Sequence, residues 1–183
     1  MLYLRCTNTL ANSLGINGAF DESTTTRIEA NLENKDSLLK IISDSYWNSD
    51  SYLKENGQPG VSALIVAGGW IEGLYIATQI ANATKNQAII TRIGEQKLSL
   101  ENLIALLDSY KTDNIGISDI LKQMEGLKKA FDSITVPAGE NTATTDTAKG
   151  VTTVGNNTSI TVTPEQLKEI SDKATQIRNK IIQ

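Results

Sequence analysis

The stretch Val61-Ser-Ala-Leu-Ile-Val-Ala-Gly-Gly-Trp-Ile-Glu-Gly-Leu-Tyr-Ile-Ala-Thr-Gln-Ile-Ala81 decides the fold, because it is long, strongly apolar and carries one charged residue, Glu72. An apolar run of this length is sufficient to cross a membrane. However, Glu72 lies at its middle, and three glycines and the polar Thr78 and Gln79 also interrupt it. These residues favour the alternative interpretation, a buried central helix in a soluble helical bundle.

Segments with apolar residues at helical spacing lie on both sides of this stretch. Together with it, the predicted helices cover roughly residues 2–14, 23–32, 36–55, 61–81, 86–110, 118–133 and 164–183. The sequence therefore predicts an all-α fold, in which residues 1–136 form an antiparallel bundle of five or six helices.

A Thr-rich connector, residues 137–163, follows this bundle. Within it, the β-branched runs 150–154 and 158–162 flank Gly155-Asn156-Asn157, a pattern that predicts a small β-hairpin. The third predicted region is a C-terminal helix over residues 164–183, with apolar residues in alternating three- and four-residue steps. Such a seam predicts that this helix either docks on the bundle or pairs with a second chain.

The composition excludes several classes of function. The 183 residues contain no histidine, which removes Ser-His-Asp and Cys-His catalysis and zinc sites with histidine ligands. The formal net charge of -4 and the scattered basic residues argue against nucleic-acid binding. We find no pattern for a cofactor or a metal, and no set of catalytic residues. These absences argue against an enzyme without excluding a histidine-free one.

Glu72 is the most distinctive polar residue, because an isolated carboxylate among apolar side chains needs a partner to stay ionised. Arg92 on the following helix is the predicted partner. The first interpretation of Glu72 is a structural ion pair or a solvent-facing carboxylate, and the second is a ligand-binding or catalytic acid. Most of the aromatic residues fall on two consecutive predicted helices, where they would line a small pocket or belong to the core: Tyr46, Trp47, Tyr52, Trp70 and Tyr75.

A line of small residues, Gly69, Gly73, Ala77 and Ala81, recurs every four positions along the apolar stretch. Small side chains allow a neighbouring helix to come close, so tight packing is the first interpretation. The second is a gap beside the glycines that admits a ligand. Near the N-terminus, the spacing of Cys6 with Leu10 predicts a buried, inert thiol.

Four segments carry a resemblance to a known family: Leu14-Gly-Ile-Asn-Gly-Ala-Phe20, Asn34-Lys-Asp-Ser-Leu-Leu39, Ala67-Gly-Gly-Trp-Ile-Glu-Gly-Leu-Tyr75 and Arg92-Ile-Gly-Glu-Gln-Lys97. Together they resemble an uncharacterised family of helical, exported lipoproteins from gut Bacteroidetes. The resemblance covers roughly residues 10–110 and implies a cell-envelope location, but it assigns no activity and no functional residues. It also implies a signal and a lipid anchor ahead of Met1, in agreement with a helical pattern that starts without a capping residue.

The leading hypothesis is a non-catalytic helical module of the bacterial cell envelope that binds a protein or a small molecule. Its candidate ligand-binding residues are Trp70, Glu72, Tyr75, Tyr46 and Arg92. One alternative is a histidine-free enzyme that uses Glu72. The other is a structural homo-oligomer assembled through the C-terminal helix. Contact with a membrane is expected only through the lipid anchor.

Overall fold

A computed structural model describes residues 2–13, 22–113, 115–135, 141–146, 151–156 and 160–182 of the chain. The elements in these ranges are α1 Leu2–Ser13, α2 Glu22–Ala30, α3 Lys35–Glu55, α4 Pro59–Thr84, α5 Gln87–Ser109, α6 Ile115–Asp132, β1 Asn141–Asp146, β2 Val151–Asn156 and α7 Pro164–Ile182. The predicted helical class is confirmed. The number of helices that share one bundle stays a prediction.

The two strands form a hairpin that differs from the predicted one. β1 and β2 pair in antiparallel fashion, with Asn141 opposite Asn156 and Asp146 opposite Val151. The predicted pairing of residues 150–154 with 158–162 is therefore wrong: most of the first run lies in β2, and residues 160–163 form no strand. Of the predicted turn, Gly155 and Asn156 lie in β2, and residue 157 lies outside the described part of the chain, as do residues 158 and 159 of the second predicted run. Burial explains the difference, because Ile160 and Val162 are covered by protein, whereas an isolated hairpin leaves much of its surface in water.

The chain divides into two compact units, residues 1–65 and 66–183, with the boundary inside α4. The division predicted from the sequence, at residues 136 and 163, follows composition rather than contacts and stays a prediction.

In the first unit, Ala11 of α1 and Leu53 of α3 are buried, and Tyr52, Val61 and Ile65 pack against them. The turn between α3 and α4 uses Gly57 at a φ of 70°, a conformation that glycine adopts without steric cost. The apolar contacts of this unit thus connect the first helix to the start of α4.

The apolar face predicted from Cys6 and Leu10 on α1 is wrong by about one position. Cys6 and Leu10 are exposed, whereas Ala11 is buried. On α3, Ile41 is buried and Ile42 is exposed. Successive residues are about 100° apart around a helix, so a shift of one position turns a different face toward the core. Both helices offer adjacent apolar residues, and spacing alone does not choose between them.

In the second unit, α6 packs against both α5 and α7. The largest fully buried apolar side chains of the second unit are Ile71, Ile93, Leu100, Leu107, Ile117, Met124, Leu127, Phe131, Ile134 and Ile170. A reciprocal cap begins α7: the Gln166 N–H donates to Thr163 Oγ1 at 3.2 Å, and the Thr163 N–H donates to Gln166 Oε1 at 2.9 Å. The Gln166 amide also donates to the Ser133 carbonyl at 2.8 Å, which connects the start of α7 to the end of α6.

The helix α4 is only partly buried, so its prediction as a buried central helix needs correction. Thr78 and Ala81 are fully buried, but Val66, Ile76 and Ile80 are between 41% and 48% exposed. Within the described residues, α4 is the one helix long and apolar enough to cross a membrane, by length and composition alone. One side of α4 thus contributes to a core, while another presents apolar and small residues to the outside.

The backbone of α5 is approached closely at Gly94. A Cβ atom there would lie 2.7 Å from the Cγ2 atoms of both Ile160 and Val162. Real Cβ atoms do not come this close to carbon, so Gly94 is required for the segment before α7 to lie on α5. This contact positions the segment that the sequence had assigned to a hairpin.

Candidate functional site

A cleft of about 470 Å³ lies between α4 and α5 in the second unit. The α4 side consists of Trp70, Gly73, Leu74 and Ala77, and the α5 side of Asn86, Ala88, Ile89, Arg92, Ile93 and Gln96. Most of these side chains are aliphatic or aromatic, and the polar side chains of Asn86, Arg92 and Gln96 come from α5 and its N-terminal cap. This is the arrangement expected of a small-molecule site, an apolar cavity with a few polar groups.

The α4 side of the cleft exists because two small residues face it. A Cβ added at Gly73 would meet no atom within 4 Å, and Ala77 borders the same space. Tight packing along the small-residue line is therefore wrong at Gly73, where the second interpretation, a gap beside the glycine, is found instead. The line does pack tightly at Ala81, which is fully buried.

The α5 side begins at the N-terminal cap of that helix. Asn86 Oδ1 accepts hydrogen bonds from the backbone N–H groups of Ala88 at 2.9 Å and Ile89 at 3.3 Å. Lys85 precedes the cap with a φ of 52°, which turns the chain from α4 into α5. The cap thus fixes where α5 starts and places its first turn at the cleft.

Arg92 is the charged residue of the cleft lining. Its Nη1 lies 2.8 Å from Glu95 Oε2, and its side chain is 80% exposed. Exposed pairs of this kind contribute roughly 0–1 kcal/mol, so Glu95 does not hold the guanidinium strongly. Gln96 donates through Nε2 to the Arg92 carbonyl at 3.3 Å, which leaves its amide oxygen available as an acceptor at the same end of the cleft.

Trp70 contributes its ring to the α4 side. Its indole Nε1 is buried and has no hydrogen-bond partner among the described residues. A buried donor without a partner costs about 1–3 kcal/mol. Because protein atoms cover Nε1, Trp70 contributes the apolar surface of its ring to the cleft and not this N–H.

Glu72 pairs with Arg178 of α7, so the predicted Glu72–Arg92 pair is wrong. Arg178 Nε donates to Glu72 Oε2 at 2.6 Å, and Nη2 donates to Oε1 at 3.3 Å. The Arg178 guanidinium also lies over the Tyr75 ring, 4.5 Å from its centroid. The nearest cation in sequence is therefore not the partner, because α7 returns to α4 from the far end of the chain.

The same face of α4 makes a second polar contact with α7. Ser171 Oγ is buried and accepts hydrogen bonds from Asn82 Nδ2 at 3.1 Å and Gln79 Nε2 at 3.5 Å. Together with the Glu72–Arg178 pair, these bonds fix the position of α7 along α4. This face of α4 is thus occupied by contacts with α7.

The five predicted site residues separate into three places. Trp70 and Arg92 lie together in the cleft, whereas Glu72 and Tyr75 lie on the face of α4 that meets α7. Glu72 is roughly 200° around the helix from Trp70. Tyr46 belongs to the first unit, where it is 45% exposed. Sequence reasoning named Gly73 and Ala77 only as members of the small-residue line, and it missed the other cleft residues and Arg178. The signal for the cleft was that line, and the signal for Arg178 was a cation beside an apolar seam.

In the described ranges, no group of three or more Cys, Asp or Glu residues is placed to hold a metal ion. Comparisons with known proteins likewise return nothing: no family model matches the chain, and no curated protein or solved structure is significantly similar to it. The resemblance to a lipoprotein family therefore stays a prediction.

Proposed function

We propose that this protein is a non-catalytic binding module that takes a small molecule into the cleft between α4 and α5. One observation carries the proposal: the space beside Gly73 is open within a cleft of about 470 Å³. Glycine inside a helix costs about 1 kcal/mol relative to alanine, and no packing neighbour offsets that cost here. The volume falls in the range of about 300–1,000 Å³ that is usual for small-molecule sites.

The location of this module in the bacterial cell envelope, as a lipoprotein, is part of the same proposal. Its support is the family resemblance over residues 10–110. Metabolic labelling of the natural protein with an alkyne-bearing palmitate, followed by membrane fractionation, tests it. Incorporation of the label into a membrane-associated form is the expected result, and an unlabelled protein in the soluble fraction contradicts this location.

The two alternative functions have less support. Glu72 is engaged by Arg178 and lies on the opposite side of α4 from the cleft, which weakens the argument for an acid that acts on a ligand there. In α7, the seam residues Leu167, Ile170, Ala174 and Ile177 are buried within one chain. This favours docking inside the molecule over pairing with a second copy.

The binding proposal is tested with two fluorescent probes of the same ring system. These are 1-anilinonaphthalene-8-sulfonate, which is an anion, and N-phenyl-1-naphthylamine, which lacks the sulfonate. We expect at least one probe to bind saturably with one site per chain. In a Trp47→Phe background, binding should also change the emission of Trp70, the remaining tryptophan. The absence of saturable binding by both probes contradicts the proposal.

Filling the cleft provides the matched control. Gly73→Leu places a side chain in the open space, whereas Gly68→Leu adds the same side chain to the same helix outside the cleft, also at a site where a Cβ meets nothing within 4 Å. We expect Gly73→Leu to abolish probe binding and Gly68→Leu to preserve it. Equal effects of the two changes would place the probe elsewhere, and a Gly73→Ala variant with intermediate affinity supports graded filling.

A further inference from the structure

The charge of the cleft lining differs in sign from that of the whole chain. The chain carries a formal net charge of -4, yet the ten lining residues contain one cation, Arg92, and no acidic residue. Binding of an anion here would therefore depend on local contacts and not on the overall charge, which repels anions. Local charge is the first indication of the ligand's chemistry.

The orientation of α5 adds further positive potential to the cleft. Its first turn contains no acidic residue, and both Asn86 and Ala88 line the cleft. The N-terminal end of a helix carries a partial positive charge of about half a unit. Asn86 Oδ1 already accepts from two of the free N–H groups, so this end contributes mainly through its field. The Asn86 side-chain amide nitrogen remains as a donor.

The Arg92–Glu95 pair leaves the guanidinium accessible. Arg92 donates to Glu95 through Nη1, and most of the side chain is exposed. A guanidinium presents five N–H donors in a fixed plane that matches the two oxygens of a carboxylate. A ligand carboxylate can therefore bind Arg92 beside Glu95 or in its place, at small cost.

We propose that the ligand of this cleft is a free organic anion, a carboxylate or sulfonate with a compact apolar body. The inference rests on the proposed function and specifies its ligand. The anionic group binds Arg92, and the body lies against Trp70, Leu74 and Ile93.

The two naphthalene probes separate this inference from the proposed function, because they differ by the sulfonate. Arg92→Met removes the charge and keeps much of the apolar stem. We expect it to weaken the anionic probe about three- to fivefold, the upper range for an exposed ion pair, and to leave the neutral probe unchanged. Lys122→Met removes one charge from the exposed side of α6, and we expect it to change neither affinity.

Glu95→Gln provides a variant with the opposite sign. Loss of the Glu95 carboxylate frees Arg92 and removes a repulsive charge, so we expect about twofold tighter binding of the anionic probe alone. Equal responses of the two probes to Arg92→Met and Glu95→Gln would overturn the anion inference. Saturable, Gly73-dependent binding of the neutral probe would at the same time leave the proposed function standing.

A membrane lipid offers the same chemistry as a free amphiphilic anion, and vesicles distinguish the two sources. We expect the chain to remain in the supernatant when phosphatidylglycerol vesicles are sedimented. Co-sedimentation that Arg92→Met abolishes would assign the anion to a lipid surface and overturn the inference of a free ligand.

Discussion

Arg178 and Glu72 form a two-point ion pair across 106 positions of the chain, with the shorter N–O distance at 2.6 Å. The two side chains are 25% and 44% exposed, so water screens part of their attraction. Tyr75 lies beneath the guanidinium and holds its plane. Such geometry contributes more than an isolated surface pair, because the arginine is oriented before it meets the carboxylate.

A double-mutant cycle measures this pair. We expect Glu72→Gln and Arg178→Met each to lower the free energy of unfolding by about 1 kcal/mol, with a coupling energy of about 0.5–1 kcal/mol. The Lys168–Asp172 pair of α7 is the control, because its side chains are 75% and 64% exposed. Its coupling should be about 0.3–0.5 kcal/mol, the range for pairs four residues apart on a helix. A larger coupling energy for the Lys168–Asp172 pair than for the Glu72–Arg178 pair would contradict the expectation that the two-point geometry over Tyr75 strengthens the latter.

Gly94 and Gly126 provide a pair of substitutions with opposite expected signs. At Gly94, a methyl group would collide with Ile160 and Val162 at 2.7 Å, whereas at Gly126 it would meet nothing within 4 Å. We expect Gly94→Ala to destabilise the fold by about 1–3 kcal/mol and Gly126→Ala to stabilise it by about 0.5–1 kcal/mol. Chemical denaturation followed by circular dichroism measures both, and a stabilised Gly94→Ala protein would show that residues 160–162 do not lie on α5.

The sequence predicts the helices well because caps and breakers act locally. Asn34 and Asn86 accept hydrogen bonds from backbone N–H groups in the first turns of α3 and α5, and Gly57 lies in the turn after α3. These signals depend on residues within a few positions of each other. Helix bounds could therefore be predicted to within a few residues.

Long-range partners could not be predicted, since spacing on one helix says nothing about which other helix arrives beside it. The Glu72–Arg178 pair depends on the return of α7, and the burial of Ile160 depends on the small residue at Gly94. The cleft was anticipated only in part: Trp70, Arg92 and Gly73 carried visible signals, but opening at Gly73 rather than tight packing follows from the three-dimensional arrangement.

Acid sensitivity is expected from Asp50. A hydrogen bond from Lys54 and a second from Ser62 hold the pKa of this carboxyl below its ordinary value of 3.8. Because the folded pKa is the lower one, the carboxylate stabilises the fold fully above the unfolded value and loses this effect as the pH falls through the folded value. Between pH 5 and pH 2, stability should therefore fall more steeply in the wild type than in Asp50→Asn.

Thermal unfolding at half-unit pH steps measures this difference. Asp44→Asn is the control on the same helix, because its contacts with Arg27 and Lys40 are longer, at 3.7 Å each. A pH dependence that is identical in the wild type and Asp50→Asn would assign the acid sensitivity to other groups.

Lys85 makes the turn into α5 in a left-handed conformation, with a φ of 52°. For a residue with a Cβ this conformation costs roughly 1–2 kcal/mol, whereas glycine adopts it freely but loses about 0.5–1 kcal/mol through its more flexible unfolded state. We expect Lys85→Gly to raise the free energy of unfolding by about 0.5–1 kcal/mol over Lys85→Ala, which removes the same charge and keeps the Cβ. Both variants are expected to keep the turn that positions the Asn86 cap of α5, so both should bind the neutral naphthalene probe as the wild type does. A Lys85→Gly protein no more stable than Lys85→Ala would mean that the turn stores no backbone strain.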